Sequence, residues 1–277
     1  MSRVGLAVIG VVASALLGGA VPASAHFQML YPGESARMRG GALDLLMVFT
    51  HPFNGGPTMK MEKPNALYVI TQRGSDGEKE KIDLLSLAEP FEFVGGEKDT
   101  GTAYRAAVPA TRVRSLGDYV FVLEPAPYLE ESEDKYIQQF TKTIVNVGGV
   151  PGNWDQTFDL PTEIRPLNKP YANWTGGVFR GVVLSAGKPV PFAEIEVEFV
   201  NRTPGKQGWT GKPQVKAPHP SLGGQSIRAD ANGGFAVGLP RAGWWGIGAL
   251  NVGPVKEHKG KKLSQDAVIW VQVTTVK

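Results

Sequence analysis

Short apolar segments alternate with polar turns along most of the chain, and no stretch keeps a sustained helical period. The apolar segments are of strand length and rich in β-branched and aromatic residues, and Gly, Pro, Asn or Asp bound them. Such segments are typical of β-strands. The predicted strands are residues 42–49, 66–71, 102–108, 117–123 and 140–147, followed by 178–184, 193–200, 235–239 and 268–276.

The spacing of these strands predicts an all-β chain that forms two antiparallel β-sandwich domains, of the Ig-like kind. Arg73-Gly74-Ser75-Asp76-Gly77 predicts a hairpin turn, and Gly243-Trp244-Trp245-Gly246 leads into a further strand. Only residues 130–139 are compatible with a short helix. Residues 152–177 predict a connector packed against both halves, and we place the domains at residues 26–165 and 166–277.

The clearest alternation in the sequence lies in residues 193–200. Glu194, Glu196 and Glu198 fall on one face of this predicted strand, and Ile195, Val197 and Phe199 on the other. Three carboxylates on one face could hold a metal ion or act in catalysis. The simpler interpretation is a strand with one face in water, because an antiparallel sheet commonly exposes one side to solvent.

The first residues have the layout of a secretory signal peptide. An apolar run follows Arg3 and ends in the small residues Ala23-Ser24-Ala25. We expect cleavage after Ala25, so that residues 1–25 are removed and the mature protein is periplasmic or otherwise exported; retention of the run as a membrane anchor is the alternative. After cleavage, His26 would carry both a free α-amine and an imidazole, two nitrogen donors on one residue.

Composition narrows the function further. The hydrophobic content of 42% is sufficient for a folded core, and no cysteine is present, so disulfides and thiolate metal sites are excluded. The formal net charge of +3 is small and its basic residues are interleaved with acids, which gives no indication of nucleic-acid binding. Nucleophile-elbow, phosphate-loop and dinucleotide motifs are absent from the sequence, and we predict that the protein is not an enzyme.

The chain has four histidines, and two of them are candidate metal ligands. His51 stands where an apolar strand ends at Pro52, in the strand that follows His26. Neighbouring strands often pair, so the two imidazoles and the amine could meet around one ion. Three neutral nitrogens suit Ni(II) or Cu(II). His219 and His258 lie in loops rich in Pro, Lys and Gly and are expected to be exposed.

The methionines beyond the first residue are concentrated near the mature N-terminus, at Met29, Met38, Met47, Met59 and Met61. Met59-Lys60-Met61 resembles the spacing of thioether ligands for Cu(I). The favoured interpretation is that these methionines fill the core.

Several motifs resemble the exported DUF4198 proteins across essentially the whole mature chain. They are Ala25-His26-Phe27-Gln28-Met29, Phe49-Thr50-His51-Pro52-Phe53, Gly55-Gly56-Pro57, Glu124-Pro125-Ala126-Pro127-Tyr128, Gly187-Lys188-Pro189-Val190-Pro191-Phe192-Ala193-Glu194 and Ala242-Gly243-Trp244-Trp245-Gly246. This family is similar to the substrate-specific component of nickel uptake. The half from Val178 resembles the transthyretin-like or carboxypeptidase regulatory-like sandwich.

The resemblance implies a periplasmic component of nickel or cobalt transport that binds Ni(II) or Co(II). Its partners would be membrane metal-transporter components, a permease of the ABC or ECF type. A histidine in first position, however, looks more like the histidine brace of secreted copper proteins, which keeps Cu(II) carriage or oxidation as an alternative. A third hypothesis is an envelope interaction module in which His26 is incidental.

Overall fold

The computed structural model describes residues 26–72, 77–96 and 98–276, and strands dominate this part of the chain. The sequence predicted many of these strands to within a few residues, but the two longest, Lys135–Val147 and Lys261–Thr274, begin earlier than predicted, and Phe27–Tyr31 and Ala88–Val94 were not predicted. In the first half the described strands are β1 Phe27–Tyr31, β2 Ala36–Arg37, β3 Leu43–Thr50, β4 Thr58–Met59, β5 Ala66–Gln72, β6 Lys79–Asp83, β7 Ala88–Val94, β8 Thr100–Val108, β9 Gly117–Glu124, β10 Tyr128–Glu130 and β11 Lys135–Val147.

The second half continues in the same way, with the shorter strands forming hairpins and edge pairs. Its strands are β12 Thr162–Pro166, β13 Asn173–Trp174, β14 Gly177–Ser185, β15 Lys188–Pro189, β16 Glu194–Phe199, β17 Thr203–Pro204, β18 Trp209–Thr210, β19 Gln225–Arg228, β20 Gly234–Leu239, β21 Gly243–Ala249, β22 Glu257–His258 and β23 Lys261–Thr274. Helical structure in the described residues is limited to 3-10 turns at Leu85–Leu87, Glu131–Glu133 and Pro220–Leu222.

One large sheet runs through both halves, in the order β19-β16-β21-β23-β11-β9-β5-β6. Its centre is the parallel pairing of β11 with β23, from Lys135 opposite Lys262 to Thr143 opposite Trp270. A five-stranded sheet with the order β1-β3-β8-β7 and a four-stranded sheet built on β14 complete the layers. The all-β fold with several antiparallel sheets is confirmed, although the central pair β11–β23 is parallel. The boundary at residue 165 falls within β12, and the division into two domains stays a prediction.

The hydrophobic core follows these layers. One cluster lies between the five-stranded sheet and the first half of the large sheet, and a second between the four-stranded sheet and the other half. A third cluster packs Phe27 and Met29 of β1 against Trp244 and Trp270. Strand β1 is therefore buried on both faces, which fixes the position of the residue just before it.

Two smaller predictions need correction. Residues 130–139 form no helix of the predicted kind: β10 ends at Glu130, a 3-10 turn follows, and β11 begins at Lys135. Strand β11 lies at the centre of the large sheet, where pairing on both sides holds it extended and Gln138 and Gln139 are buried. The connector contains β12 and β13; Trp154 packs on a core cluster, whereas Trp174 is exposed.

The predicted exposure of the glutamate face of β16 is also wrong for two of its three glutamates. Glu194 is exposed, but Glu196 and Glu198 are 9% and 2% exposed. Residues 212–224, from the long connection to β19, lie over this face and line a cavity together with the two glutamates. Period-two alternation correctly predicted that these glutamates share one face of the strand. Residues 212–224, which are distant in sequence, cover that face.

Some predictions fall on residues outside the described part. The signal peptide at residues 1–25 lies there, and so do Arg73 to Asp76 of the predicted hairpin turn. The hairpin strands themselves, β5 and β6, pair antiparallel. In the described residues, no helix has the length and apolar character needed to span a membrane.

Candidate metal centre

His26 and His51 lie side by side. Their ring centroids are 4.4 Å apart and the ring planes are inclined at 46°. The cause is the antiparallel register of β1 and β3, in which Phe27 lies opposite Thr50. His26 precedes β1 and His51 follows β3, so the two histidines occupy the next opposed position of the same ladder.

The loop after His51 is held by the second half of the chain. The Gly55 N–H donates to the His51 carbonyl at 2.7 Å, which closes the turn. The Phe53 N–H donates to the Glu198 carboxylate at 3.2 Å, and the Asn201 N–H donates to the Pro52 carbonyl at 3.2 Å. His51 itself is 8% exposed. Contacts from β16 and from Asn201, just beyond it, therefore hold the backbone that follows His51.

Glu130 is the acidic neighbour of His26. Its Oε2 lies 3.3 Å from His26 Nε2. The backbone N–H and the hydroxyl of Ser132 both donate to the other carboxylate oxygen of Glu130. Burial opposes ionisation of this carboxyl, but the Ser132 hydrogen bonds and the neighbouring His26 and Lys135 outweigh it, so that its pKa is lowered. Glu130 is a carboxylate at neutral pH.

The imidazole of His26 is neutral at the same pH. Burial lowers its pKa below the ordinary value of 6.5, against the opposing attraction of Glu130 and Glu133. A neutral imidazole carries one N–H, and the contact with the Glu130 carboxylate places that proton on Nε2. Nδ1, the nitrogen nearer the backbone, then presents its lone pair.

The backbone of His26 is held by a side chain from the middle of the large sheet. Gln139 Nε2 donates to the His26 carbonyl at 2.7 Å, and Gln139 Oε1 accepts from the Gln28 N–H at 2.6 Å. One amide side chain thus satisfies backbone groups on both sides of Phe27. Gln139 is 3% exposed.

Asp266 orients this glutamine from the neighbouring strand. Gln139 lies opposite Asp266 in the β11–β23 register, and its Nε2 also donates to Asp266 Oδ2 at 3.1 Å. Burial raises the pKa of Asp266, although hydrogen bonds from Ser264, Asn251 and Gln139 oppose the rise. Sequence reasoning missed both residues, because only the pairing of two distant strands brings them to His26.

Aromatic side chains form the apolar wall of the site. The His26 ring lies 5.5 Å from the Phe49 ring, which packs edge-on against Tyr128 at 5.3 Å. Near Phe49, the Gln28 amide contacts Met61 Sδ at 3.5 Å. The wall limits water around His26, which strengthens the electrostatic effect of Glu130.

The remaining candidates are spread over the molecule. His219 is exposed, as expected, whereas His258 lies in β22, half-buried, with its ring 4.7 Å from that of Tyr136. Met29, Met47, Met59 and Met61 are core residues, which agrees with the favoured interpretation, while Met38 is exposed. Within residues 26–72, 77–96 and 98–276, no group of three or more His, Cys, Asp or Glu side chains is placed to hold a metal ion.

Solved structures give only remote likenesses. The D0-D1 domain of intimin is 10% identical, with 87% of this chain and 96% of that chain covered and a TM-score of 0.21. The Yersinia pseudotuberculosis adhesin InvE is 10% identical, with 88% and 58% covered and a TM-score of 0.24. Native Escherichia coli alpha-2-macroglobulin is 9% identical, with 90% and 14% covered and a TM-score of 0.22. At these TM-scores the likenesses carry no argument about function.

No curated protein matches the chain. A family model does match, over residues 23–253, and it therefore includes both histidines of the candidate centre and all strands up to β21. The family is described as a domain of unknown function. The chain belongs to the DUF4198 family.

Proposed function

We propose that this protein is an exported metal-binding protein that takes up Ni(II) or Co(II) at His26 and His51 and passes the ion to a membrane transporter. The observation that carries the proposal is the 4.4 Å separation of the two imidazole rings, which a ladder register fixes. The ion is cargo in this proposal, and the protein's role is to bind and release it.

The donor set supports this assignment when the expected processing is included. Cleavage after Ala25 would give His26 a free α-amine, and the amine and Nδ1 of one residue can close a chelate ring on one ion. The imidazole of His51 supplies a third nitrogen. The His26 Nε2–H contact with Glu130 matches the usual pattern in which a ligating histidine donates its other ring N–H to a carboxylate.

Nitrogen donors favour late first-row metals over Mg(II) or Ca(II), which prefer oxygen. A neutral His26 also lowers the competition from protons, since ligands must be deprotonated to bind. Delivery to an ABC-type or ECF-type permease rests on the resemblance to nickel-uptake components. The His26 side chain is 18% exposed, so the centre is open enough to exchange its cargo.

Cu(II) is the second candidate, and a specific observation favours it. His26 would stand first in the processed chain, and His51 lies directly opposite it. The two residues would then offer one amine and two imidazoles. Copper(II) also binds such nitrogen sites more tightly than Ni(II) or Co(II). In that case the protein would be a copper carrier or an oxidase.

Isothermal titration of the processed protein with Ni(II), Co(II) and Cu(II) tests the proposal. We expect Ni(II) or Co(II) to bind with a Kd of about 1 μM or tighter, and His26→Ala and His51→Ala to weaken that binding. His219→Ala is the matched control, because His219 is exposed and remote in sequence. Failure of both Ni(II) and Co(II) to bind at micromolar concentration would remove the nickel and cobalt assignment.

Electron paramagnetic resonance of the Cu(II)-loaded protein separates the second candidate from adventitious copper. Hyperfine coupling to three nitrogens, reduced in His51→Ala, would support a copper centre. A spectrum without nitrogen coupling would exclude it. Growth under nickel or copper limitation of cells that carry either the parent protein or the His26→Ala variant then shows which cargo matters.

A further inference from the structure

A second site lies on the other side of the His51 loop, in a cavity of about 960 Å³ between β16 and residues 212–224. Its volume is near the upper end of the range for small-molecule sites. Phe53, Val215, Pro213 and Pro218 contribute apolar lining, and Glu196 and Glu198 contribute carboxylates. None of these side chains is a ligand in the proposed metal centre, although the bond from the Phe53 N–H to Glu198 also holds the His51 loop.

The loop that covers the cavity is fixed in place. Asn201, at the end of β16, donates from Nδ2 to the Val215 carbonyl at 2.8 Å and accepts from the Val215 N–H at 2.7 Å. The Asn201 carbonyl accepts from the Gln214 N–H at 2.9 Å, and Asn201 Nδ2 also contacts the Phe53 carbonyl at 3.1 Å. One buried side chain therefore joins the covering loop, the strand and the His51 loop, and the space between them is built into the fold.

The charged side chains around the cavity differ in their exposure to solvent. Glu198 and Glu196 are 2% and 9% exposed, whereas Lys212 and Lys216 are exposed. Coulomb interactions are stronger away from solvent, where the effective dielectric constant is lower. A charged ligand that enters the cavity therefore meets the carboxylates at close range and the lysines through water.

We propose that this cavity binds a small organic cation, an ammonium or guanidinium group on an apolar body. The cationic group would lie against Glu198 and Glu196, and the apolar body against Phe53 and Val215. Glu198 already accepts the Phe53 N–H, and a carboxylate has several acceptor positions, so that bond is compatible with a ligand contact. The site does not depend on metal binding at His26.

Ligand-observed NMR and calorimetry on the full chain test this proposal with small aromatic probes that have similar size but different charge. Benzylamine and benzamidine are the cationic probes, benzyl alcohol is the neutral probe and benzoate is the anionic probe. We expect the cations to bind about tenfold or more tightly than benzyl alcohol, because charge-assisted hydrogen bonds are the stronger ones. Failure of both cations to bind, or binding of benzoate at equal affinity, would overturn the proposal.

Glu194 provides a matched control on the same strand and face, since it is exposed and pairs with Arg228. We expect Glu198→Gln to weaken benzylamine binding about tenfold and Glu194→Gln to leave it unchanged. Equal losses in the two variants would show that general surface charge, and not the cavity, attracts the amine.

A third variant does not alter either carboxylate. Ala217 lines the cavity from the covering loop, and Ala217→Trp should fill the space and abolish benzylamine binding while circular dichroism stays that of the parent. This variant keeps the proposal testable if Glu198→Gln fails to fold. Unchanged benzylamine affinity in a folded Ala217→Trp protein would place the amine elsewhere and overturn the proposal.

Discussion

The side chain of Gln139 holds the backbone of His26, a residue 113 positions away in the sequence. The bond from its Nε2 to the His26 carbonyl is 2.7 Å long, and its Oε1 accepts the Gln28 N–H. Because the amide contacts backbone and not the imidazole, it sets where the first residue of the expected mature chain lies.

Gln139→Ala should weaken metal binding about 10- to 100-fold, the range typical of residues that orient metal ligands. The matched control is Gln138→Ala, which removes a neighbouring buried glutamine that contacts Pro125 and Gln265 instead. Calorimetric titration with Ni(II) and Cu(II) measures the affinities, and thermal unfolding measures the stability loss of each variant. Equal affinity in the two variants would contradict a positioning role for Gln139.

An extra glycine before His26 should weaken binding far more than the loss of one hydrogen bond. The added residue converts the His26 amine into an amide and moves the new terminus by about 3.8 Å. His51→Ala should weaken binding less than His26→Ala, since it leaves the amine and one imidazole. Titration of the three proteins gives the order, and mass spectrometry of the exported protein checks that His26 is its first residue. Parent-like affinity in the glycine variant would place the metal elsewhere.

Protonation of His26 should make the fold less stable in mild acid. Its pKa is lower in the folded chain than the ordinary 6.5 because burial disfavours the charged ring. The folded state therefore binds fewer protons than the unfolded state between the lowered pKa and 6.5. The free energy of unfolding is therefore highest above pH 6.5, and it falls as the pH drops from 6.5 to the lowered pKa of His26.

Urea unfolding of the metal-free protein at a series of pH values between 7.5 and 5 measures this loss. His26→Phe should show a flatter dependence over the same range, because it removes the titrating group and keeps an aromatic ring beside Phe49. A parent and a variant with identical pH dependence would show that other groups cause the acid sensitivity.

The buried ion pair between Lys142 and Glu163 should be sensitive to the loss of one partner. The side chains are 1% and 3% exposed, and Glu163 also accepts the Phe158 N–H at 2.9 Å. Burial lowers the pKa of Lys142, against the opposing effect of Glu163. Lys142→Met should destabilise the protein by about 3–5 kcal/mol, because it leaves a buried carboxylate without its cation.

The double variant Lys142→Met with Glu163→Gln should recover much of that stability. The neutral amide carries no charge to compensate and its oxygen can still accept the Phe158 N–H. Urea unfolding of the single and double variants measures both free energies. A double variant less stable than Lys142→Met would mean that the carboxylate stabilises the fold without its partner.

The sequence by itself determined many of the strands and the place of His51 at the end of one of them. Period-two alternation and Pro or Gly at the ends define a strand locally, so residues 66–71 and 117–123 could be predicted closely as β5 and β9. The meeting of His26 and His51 was a hypothesis that rested on a general tendency, that neighbouring strands often pair. The register of β1 and β3 brings the two rings together.

Only the tertiary structure decided what surrounds those histidines. Residues 130–139 were compatible with a short helix, yet β11 lies at the centre of the large sheet, where Gln139 donates to the His26 carbonyl and to Asp266. The alternation predicted that Glu198 faces water. Residues 212–224 cover it instead, and the Phe53 N–H donates to its carboxylate. Alternation shows which side chains share a face of a strand. A polar side chain is buried only where another part of the chain supplies hydrogen-bond partners. Those contacts depend on strand pairings and loop positions that are far away in the sequence.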